Sequence, residues 1–233
     1  MCILLAVAGA PGELWIAANR DERLDRPWRS PGVLADDPPV FGGRDLVGGG
    51  SWLAVNLDAG LVVAVTNARL GSAARERSRG TLVLDLAHER SLAHAVALAS
   101  ELDLERYGEF NLLLADADAR WLATNEPAPR VERVDAAVLA VGNAPLSDPG
   151  DRVLAAGRRA AQISGLTGDA RLGALQRLLA DHGGPDPLCR HGERYGTVCS
   201  SLVVLRGRDV ATYRFAPGRP CTTPFETVAL PVT

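Results

Sequence analysis

The sequence predicts an α+β fold with mainly antiparallel sheets, formed by a single domain over residues 1–233. Short apolar runs separated by turn signals indicate strands arranged in hairpins. Two pairs of leucine- and alanine-rich segments indicate helices, and these are segregated from the strands along the chain. The chain has 233 residues, of which 47% are hydrophobic and 23% charged. This length and composition are typical of a globular protein with a sizeable core.

The first hairpin is predicted over residues 2–8 and 14–18, on either side of Ala10-Pro11-Gly12-Glu13. Proline and glycine at the second and third positions suit a tight turn. A turn centred on Pro11-Gly12 places residue 2 opposite residue 21, with a slip of one or two residues allowed. Opposed residues in a hairpin lie about 4.5–5.5 Å apart. The hairpin is therefore expected to bring Cys2 beside Asp21.

The next segments carry many prolines and glycines. The prolines of residues 25–31 and 36–39 predict an ordered loop or an edge excursion. The glycines of residues 42–50 match neither GxGxxG nor a P-loop, so they predict a turn-rich hairpin rather than a phosphate site. Two further strands are predicted over residues 52–55 and 61–65.

The remaining elements follow from periodicity and capping signals. Helices are predicted over residues 81–87 and 92–99, with Ser91 as the N-cap of the second. Strands follow at residues 110–115, 121–124 and 137–141. Residues 152–163 and 169–179 predict amphipathic helices whose arginines face solvent. After a loop at residues 182–193, a final hairpin is predicted over residues 197–205 and 210–215.

Composition excludes several classes of function. A net charge of −3 offers no basic surface to a nucleic acid. All 25 basic residues are arginine, which excludes a Schiff-base lysine and a GxxxxGK P-loop. The four cysteines form no CxxC pair, as expected of reduced thiols in a cytoplasmic protein. The four histidines form no recognisable set of metal ligands, so neither a metal nor another cofactor is expected. No apolar run is long enough to span a membrane.

Cys2 has two interpretations. Initiator methionine is normally removed before a small residue, and Cys2 would then carry both a thiol and an α-amine of pKa about 7.7–8.0. Such an amine can take the thiol proton, so that one residue supplies nucleophile and base, with Asp21 anchoring the amine. Alternatively, Cys2 is a small apolar residue that opens a buried strand.

A set of short motifs resembles the NRDE family of transport and Golgi organisation proteins. They are Met1-Cys2, Asn19-Arg20-Asp21-Glu22, Gly42-Gly43-Arg44-Asp45, the run Gly48 to Asn56 with Trp52, Thr66-Asn67-Ala68-Arg69, Ser78-Arg79-Gly80, Gly142-Asn143-Ala144-Pro145-Leu146 and Tyr195-Gly196-Thr197. They occur in the family's order over most of the chain. More distantly, the layout resembles the choloylglycine and penicillin V acylase group of N-terminal-nucleophile hydrolases.

This resemblance implies a four-layer α-β-β-α sandwich and a set of catalytic residues. Asn67 is similar in position to the acylase asparagine that helps form the oxyanion hole, and Asn143 is similar to a second asparagine near the nucleophile. Asn143 would orient the α-amine or polarise the substrate carbonyl. Both asparagines also suit ordinary turn or strand-end positions. Val198 stands where many relatives have arginine, which puts the family's anion recognition in doubt.

The leading hypothesis is a cysteine N-terminal-nucleophile amidohydrolase that cleaves a linear amide bond, such as an N-acyl bond, in a small molecule. Cys2, Asp21, Asn67 and Asn143 would be catalytic, and Arg20, Asn19 and Trp52 would bind substrate. Arg20 has the alternative role of supporting the sheet. The competing hypothesis is a non-catalytic protein that handles haem, lipid or acyl-CoA.

Overall fold

The structure, a computed structural model, describes residues 2–69 and 75–231. The strands in this part of the chain are β1 (Ile3–Ala8), β2 (Glu13–Arg23), β3 (Trp28–Asp36), β4 (Pro39–Asp45), β5 (Leu53–Asn56), β6 (Leu61–Asn67), β7 (Phe110–Ala115), β8 (Arg120–Thr124), β9 (Arg130–Arg133), β10 (Val138–Gly142), β11 (Tyr195–Arg206), β12 (Asp209–Ala216) and β13 (Glu226–Thr227). The helices are α1 (Arg79–Ala87), α2 (Leu92–Glu101), α3 (Asp151–Ile163) and α4 (Gly168–Ala180). The short strands β9 and β13 are absent from the sequence prediction.

The strands form two antiparallel sheets that pack face to face, with a pair of helices on each outer surface. The first sheet has the order β10-β1-β2-β11-β12-β13, and the second runs from β3 to β9 in chain order, without α1 and α2. Apolar side chains such as Leu4, Ile16 and Val62 fill the space between the sheets. Leu82 of α1 packs on the second sheet and Leu175 of α4 on the first. The predicted α+β class and its α-β-β-α layers are confirmed.

β1 and β2 form the predicted hairpin, but their pairing is shifted by one residue. Ile3 pairs with Asn19, so the register continues to residue 2 opposite Arg20 rather than opposite Asp21. The shift lies within the slip that the sequence analysis allowed. Asp21 still follows directly on the same strand, and it remains a neighbour of Cys2.

The shift arises because the turn contains three residues. Gly9 N donates to Glu13 O at 2.8 Å, and Glu13 N donates to Ala10 O at 2.8 Å. Gly12 has a φ of +74°, the left-handed conformation that glycine adopts without strain and that closes three-residue hairpin loops.

The predicted irregular loop at residues 25–31 is wrong for its second half. β3 runs through Pro31 and pairs with β4, with register shifts between Arg29 and Gly32 and between Val33 and Ala35. β3 lies at the edge of its sheet, where one side of the strand needs no ladder hydrogen bonds. Proline is tolerated at such a position. The alternative that allowed an edge excursion therefore describes this segment better.

The turn after β4 packs against the first turn of α1. Ser51 N donates to Gly80 O at 3.0 Å, and Ser78 caps the helix by accepting a hydrogen bond from Gly80 N. A Cβ atom on Gly50 would lie 2.0 Å from the carbonyl carbon of Gly80, so this approach requires glycine. The glycine-rich segment thereby holds the N-terminus of α1 beside the end of β4.

The expectation that the arginines of α3 and α4 face solvent is wrong for two of them. Arg158 is exposed, but Arg152 and Arg171 are buried. Arg171 donates to Ser164 O at 2.5 Å and lies 5.5 Å from the ring centre of Trp15. Neither of these 13-residue helices, nor any other that the structure describes, is long and apolar enough to cross a bilayer.

Candidate active site

Cys2 is half-buried and lines a polar cavity with a volume of about 410 Å³. Its thiol donates to the backbone carbonyl of Asp21 at an S···O distance of 3.6 Å. Burial raises the pKa of the Cys2 thiol, and the negative charge of Asp21 raises it further. Met1, which the sequence analysis expects to be removed, lies outside the described residues.

The side chain of Asp21 is held by residues that come from distant parts of the chain. Thr197 Oγ1 donates to one carboxylate oxygen at 2.6 Å, and Arg152 donates to the other at 2.9 Å. Tyr195 Oη donates to the Asp21 carbonyl at 2.5 Å. Burial raises the pKa of Asp21, against the opposing charge of Arg152. The carboxylate is therefore fixed in orientation beside Cys2.

A β-bulge in β11 shapes this arrangement. Thr197 pairs with Asp21 and Cys199 pairs with Arg20, which leaves Val198 as the extra residue between two successive pairs. A bulge of this kind redirects side chains next to it. Val198, at which the sequence was expected to depart from the family pattern, is the bulged residue itself.

Arg152 is the first of two residues near this site that were not expected from the sequence. Its guanidinium also donates to the carbonyls of Pro187 at 2.9 Å and Leu188 at 2.7 Å. One signal was available, because Arg152 lies in the first turn of a helix, where the positive end of the helix dipole disfavours a cation. A cation at that position needs a partner elsewhere, and here the partner is Asp21.

Asn143 directly follows β10, and Cys2 directly precedes its partner strand β1. Ile3 pairs with Gly142, so the antiparallel register continues to residue 143 next to residue 2. The Gly142 carbonyl accepts from Thr66 Oγ1 at 2.8 Å and from Asn111 Nδ2 at 3.2 Å, both on the second sheet. The amide of Asn143 is buried, and neither its nitrogen nor its oxygen has a hydrogen-bond partner among the described residues.

Asn111 is a second residue that the sequence analysis missed. Besides Gly142, its amide also donates to Ala144 O at 2.8 Å, so it holds the chain on both sides of Asn143. Asn67 is the last residue of β6, the strand that pairs with the β7 strand of Asn111, and it is half-buried at the cavity wall. The structure therefore brings Cys2, Asp21 and Asn67 to one cavity, with Asn143 at the adjoining end of the neighbouring strand β10.

Among the described residues, the charged members of the cavity wall are five arginines and three carboxylates, namely Arg20, Arg26, Arg75, Arg77, Arg79, Asp21, Glu22 and Asp45. Arg20 donates to Asp45 at 2.6 Å, and its guanidinium carbon lies 4.4 Å from the ring centre of Trp52. The second terminal nitrogen of Arg20, Nη1, is buried and has no hydrogen-bond partner in the described part of the chain. The lining thus has more arginines than carboxylates, and one of these arginines, Arg77, is paired with Asp85 at 2.7 Å.

Asp45 is the shared acceptor on this wall. Arg26 donates to both of its carboxylate oxygens, at 2.7 and 2.9 Å. Burial alone would raise the pKa of Asp45, but the hydrogen bonds from Arg26 and Gly48 N and the charges of both arginines outweigh it and lower that pKa.

Asn19 does not line this cavity. Its amide nitrogen donates to Leu179 O at 2.9 Å and Leu188 O at 2.8 Å, and its oxygen accepts from Ser200 Oγ. With its polar atoms bonded inside the protein, Asn19 joins β2 to the end of α4. Its placement favours a structural role over the substrate contact expected from the sequence.

Comparisons with known proteins identify the family and the fold. The family model of Transport and Golgi organisation 2 matches residues 1–182. A search of curated proteins finds no match. Among solved structures, an N-acylethanolamine-hydrolyzing acid amidase ortholog from Caenorhabditis elegans superposes with a TM-score of 0.63 at 13% identity, over 99% of this chain and 100% of that one. A C2A mutant of the conjugated bile acid hydrolase from Clostridium perfringens superposes with a TM-score of 0.59 at 12% identity, over 99% of this chain and 97% of that one. The chain has the fold of these two hydrolases.

Proposed function

Since the chain belongs to the Transport and Golgi organisation 2 family and has the fold of N-terminal-nucleophile amidohydrolases, we propose that it cleaves a linear amide bond with Cys2 as nucleophile. The observation that carries this proposal is the contact of the Cys2 thiol with Asp21 at the wall of a polar cavity. The acid amidase and the bile acid hydrolase carry activities of this type in their names, and here that activity is proposed for the present chain.

In the proposed reaction, removal of Met1 gives Cys2 a free α-amine. The amine takes the thiol proton as sulfur bonds to the substrate carbonyl carbon. The same proton then passes to the leaving nitrogen as the C–N bond breaks, which leaves a thioester on Cys2. Water hydrolyses the thioester, releases the acid and restores the thiol. Asp21 stabilises the ammonium form of the amine during these steps.

The two asparagines are proposed to act on the carbonyl end of the substrate. The Asn67 amide donates to the oxyanion that develops when sulfur attacks. Asn143 orients the α-amine or polarises the substrate carbonyl, and its unbonded buried amide supports such a role. An unpartnered buried amide is costly in a folded protein, and a ligand atom that bonds to it removes that cost.

The rest of the cavity indicates the kind of substrate. The arginines of the lining, which outnumber its carboxylates, favour a substrate with a carboxylate or another anionic group. Trp52 offers an apolar ring beside one of them, Arg20. We therefore propose an N-acylated small molecule that carries a negative charge.

The test begins with the intact mass of the purified protein. We expect Met1 to be absent, and we expect a β-lactone probe to acylate Cys2 in preference to Cys189, Cys199 and Cys221, as located by peptide mapping. Cys2→Ala should abolish labelling and hydrolysis of N-acyl amides, whereas the matched control Cys199→Ser should retain both. Complete retention of Met1, or equal labelling of the Cys2→Ala variant, would contradict the proposal.

The alternative function is non-catalytic handling of haem or acyl-CoA. The arginine-rich wall supports this alternative because arginine binds anions, and haem propionates and acyl-CoA phosphates are anions. This hypothesis predicts that Met1 is retained and that the purified protein binds haem or acyl-CoA with an affinity unchanged by Cys2→Ala.

A further inference from the structure

A cluster of cysteine and histidine side chains lies outside the cavity. Cys189 Sγ is 3.5 Å from Cys221 Sγ and 3.8 Å from His191 Nε2, and His191 Nε2 is 3.0 Å from Cys221 Sγ. His182 stacks on His191 with ring centres 5.2 Å apart, and one ligand atom each from His182, His191 and Cys221 lies within 4.8 Å of the others. Residues from two remote segments therefore meet at one point, which the spacing of histidines along the sequence does not predict.

The backbone around the cluster is tied in place. Cys189 N donates to Asp181 O at 2.8 Å, so the loop after α4 is closed upon itself. Arg219, two residues before Cys221, donates to Gly192 O at 3.4 Å and joins the two segments. Cys189 is buried, whereas the histidines are exposed and Cys221 is half-buried. The cluster thus has a buried base and a side open to solvent, from which an ion can enter.

The separations match those of ligands around a tetrahedral metal ion. Zinc binds thiolate sulfur at about 2.3 Å and imidazole nitrogen at about 2.0–2.1 Å, so tetrahedral ligands lie about 3.8 Å apart for two sulfurs and about 3.6 Å for sulfur and nitrogen. The observed S···S separation of 3.5 Å and the two S···N separations of 3.8 and 3.0 Å differ from these values by about 0.2–0.6 Å, and Cys189 adds a second sulfur to the three residues whose ligand atoms all lie within 4.8 Å of one another, so small side-chain shifts would close the set on an ion. We propose that Cys189, His191, Cys221 and His182 form a structural Zn²⁺ site of the Cys₂His₂ type.

The chemistry of the four residues suits this ion. His182 Nδ1 lies 3.3 Å from Ala180 O, so a protonated Nδ1 directed at that carbonyl leaves Nε2 to bind the metal. Two thiolates balance the charge of Zn²⁺.

Zinc at this position would fasten the loop that supports Asp21. Residues 187 and 188, just before Cys189, supply the carbonyls that Arg152 binds, and Leu188 O also accepts from Asn19. Four protein ligands leave no open coordination position, as in structural rather than catalytic zinc sites. The metal would join this loop to the segment between β12 and β13.

The test uses the full chain, reduced and freed of metal with a chelator, then titrated with Co²⁺ and with Zn²⁺. We expect one equivalent of Co²⁺ to bind with the charge-transfer absorption of two thiolates and the visible bands of a tetrahedral ion, and one equivalent of Zn²⁺ to displace it. Zinc should also raise the melting temperature. Cys221→Ser and His191→Ala should each weaken binding more than about 100-fold, since even residues behind the ligands contribute 10–100-fold.

The matched controls are Cys199→Ser and His94→Ala, which remove the same residue types outside the cluster and should leave binding unchanged. Cys221 and His191 are chosen because they are not fully buried, so their variants should fold, as circular dichroism will verify. Absence of stoichiometric binding by the reduced wild type, or binding that survives both ligand substitutions, would overturn the proposal. Neither result depends on whether Cys2 is catalytic.

Discussion

Replacing Arg152 by methionine should destabilise the protein by roughly 3–5 kcal/mol, the typical cost of removing one partner of a buried ion pair. The Arg152 side chain is 8% exposed and the Asp21 side chain 0% exposed, so solvent screens little of their interaction. The substitution also removes the donors to Pro187 O and Leu188 O, which favours the upper end of this range. Since a typical protein has about 5–15 kcal/mol of stability, such a loss should be plain in the midpoint of urea unfolding.

The control is Arg158→Met, an exposed arginine of the same helix, for which we expect a change within about 0.5 kcal/mol. A double variant with Asp21→Asn tests the cause, because a neutral amide no longer needs the guanidinium. The double variant should lose less stability than the sum of the two single variants. A loss below about 1 kcal/mol in Arg152→Met, or strict additivity with Asp21→Asn, would refute the assignment of this pair as a stabilising contact.

Three further predictions follow from the same contacts. Asn67→Ala should lower kcat on an N-acyl substrate by about 10²–10³ with an unchanged melting temperature, and unchanged turnover would remove its role as oxyanion donor. The pKa of Asp45 is lowered in the folded protein, so its ionisation contributes stability above about pH 4 that is lost as the pH falls below that value. Asp45→Asn should therefore flatten this part of a plot of unfolding free energy against pH. Gly50→Ala should lower the free energy of unfolding in urea by about 1–3 kcal/mol, because the new Cβ would meet the Gly80 backbone. Gly32→Ala, which has open space around it, should lower it far less. Equal losses in the two variants would contradict the packing argument.

Local features of the fold could be predicted from the sequence because their signals are local. Proline and glycine at residues 11 and 12 indicate the first turn, and Ser91 caps α2 as expected. The exact register could not be predicted, because it depends on whether two or three residues close the turn. The strand through Pro31 was missed because a proline is acceptable only at a sheet edge, and edge position is a property of the whole sheet.

The site shows the same division between local and long-range information. The predicted hairpin placed Cys2 near Asp21 and the family resemblance indicated Asn67, and the structure brings all three to one cavity. Arg152 lies 131 residues from Asp21, and the periodicity of its helix cannot distinguish an outward arginine from one with a buried partner. Likewise, Cys189 and Cys221 are 32 residues apart, and only the folded chain brings them together.

The hydrogen bonds from Thr66 and Asn111 to the Gly142 carbonyl fasten one sheet to the other at the residue that precedes Asn143. The two layers therefore cannot slide past each other near Cys2 without breaking both bonds. Backbone amides on either side of this fastening should exchange with solvent deuterium only when the entire molecule unfolds, whereas those of the exposed edge strand β3 should exchange through smaller, local openings.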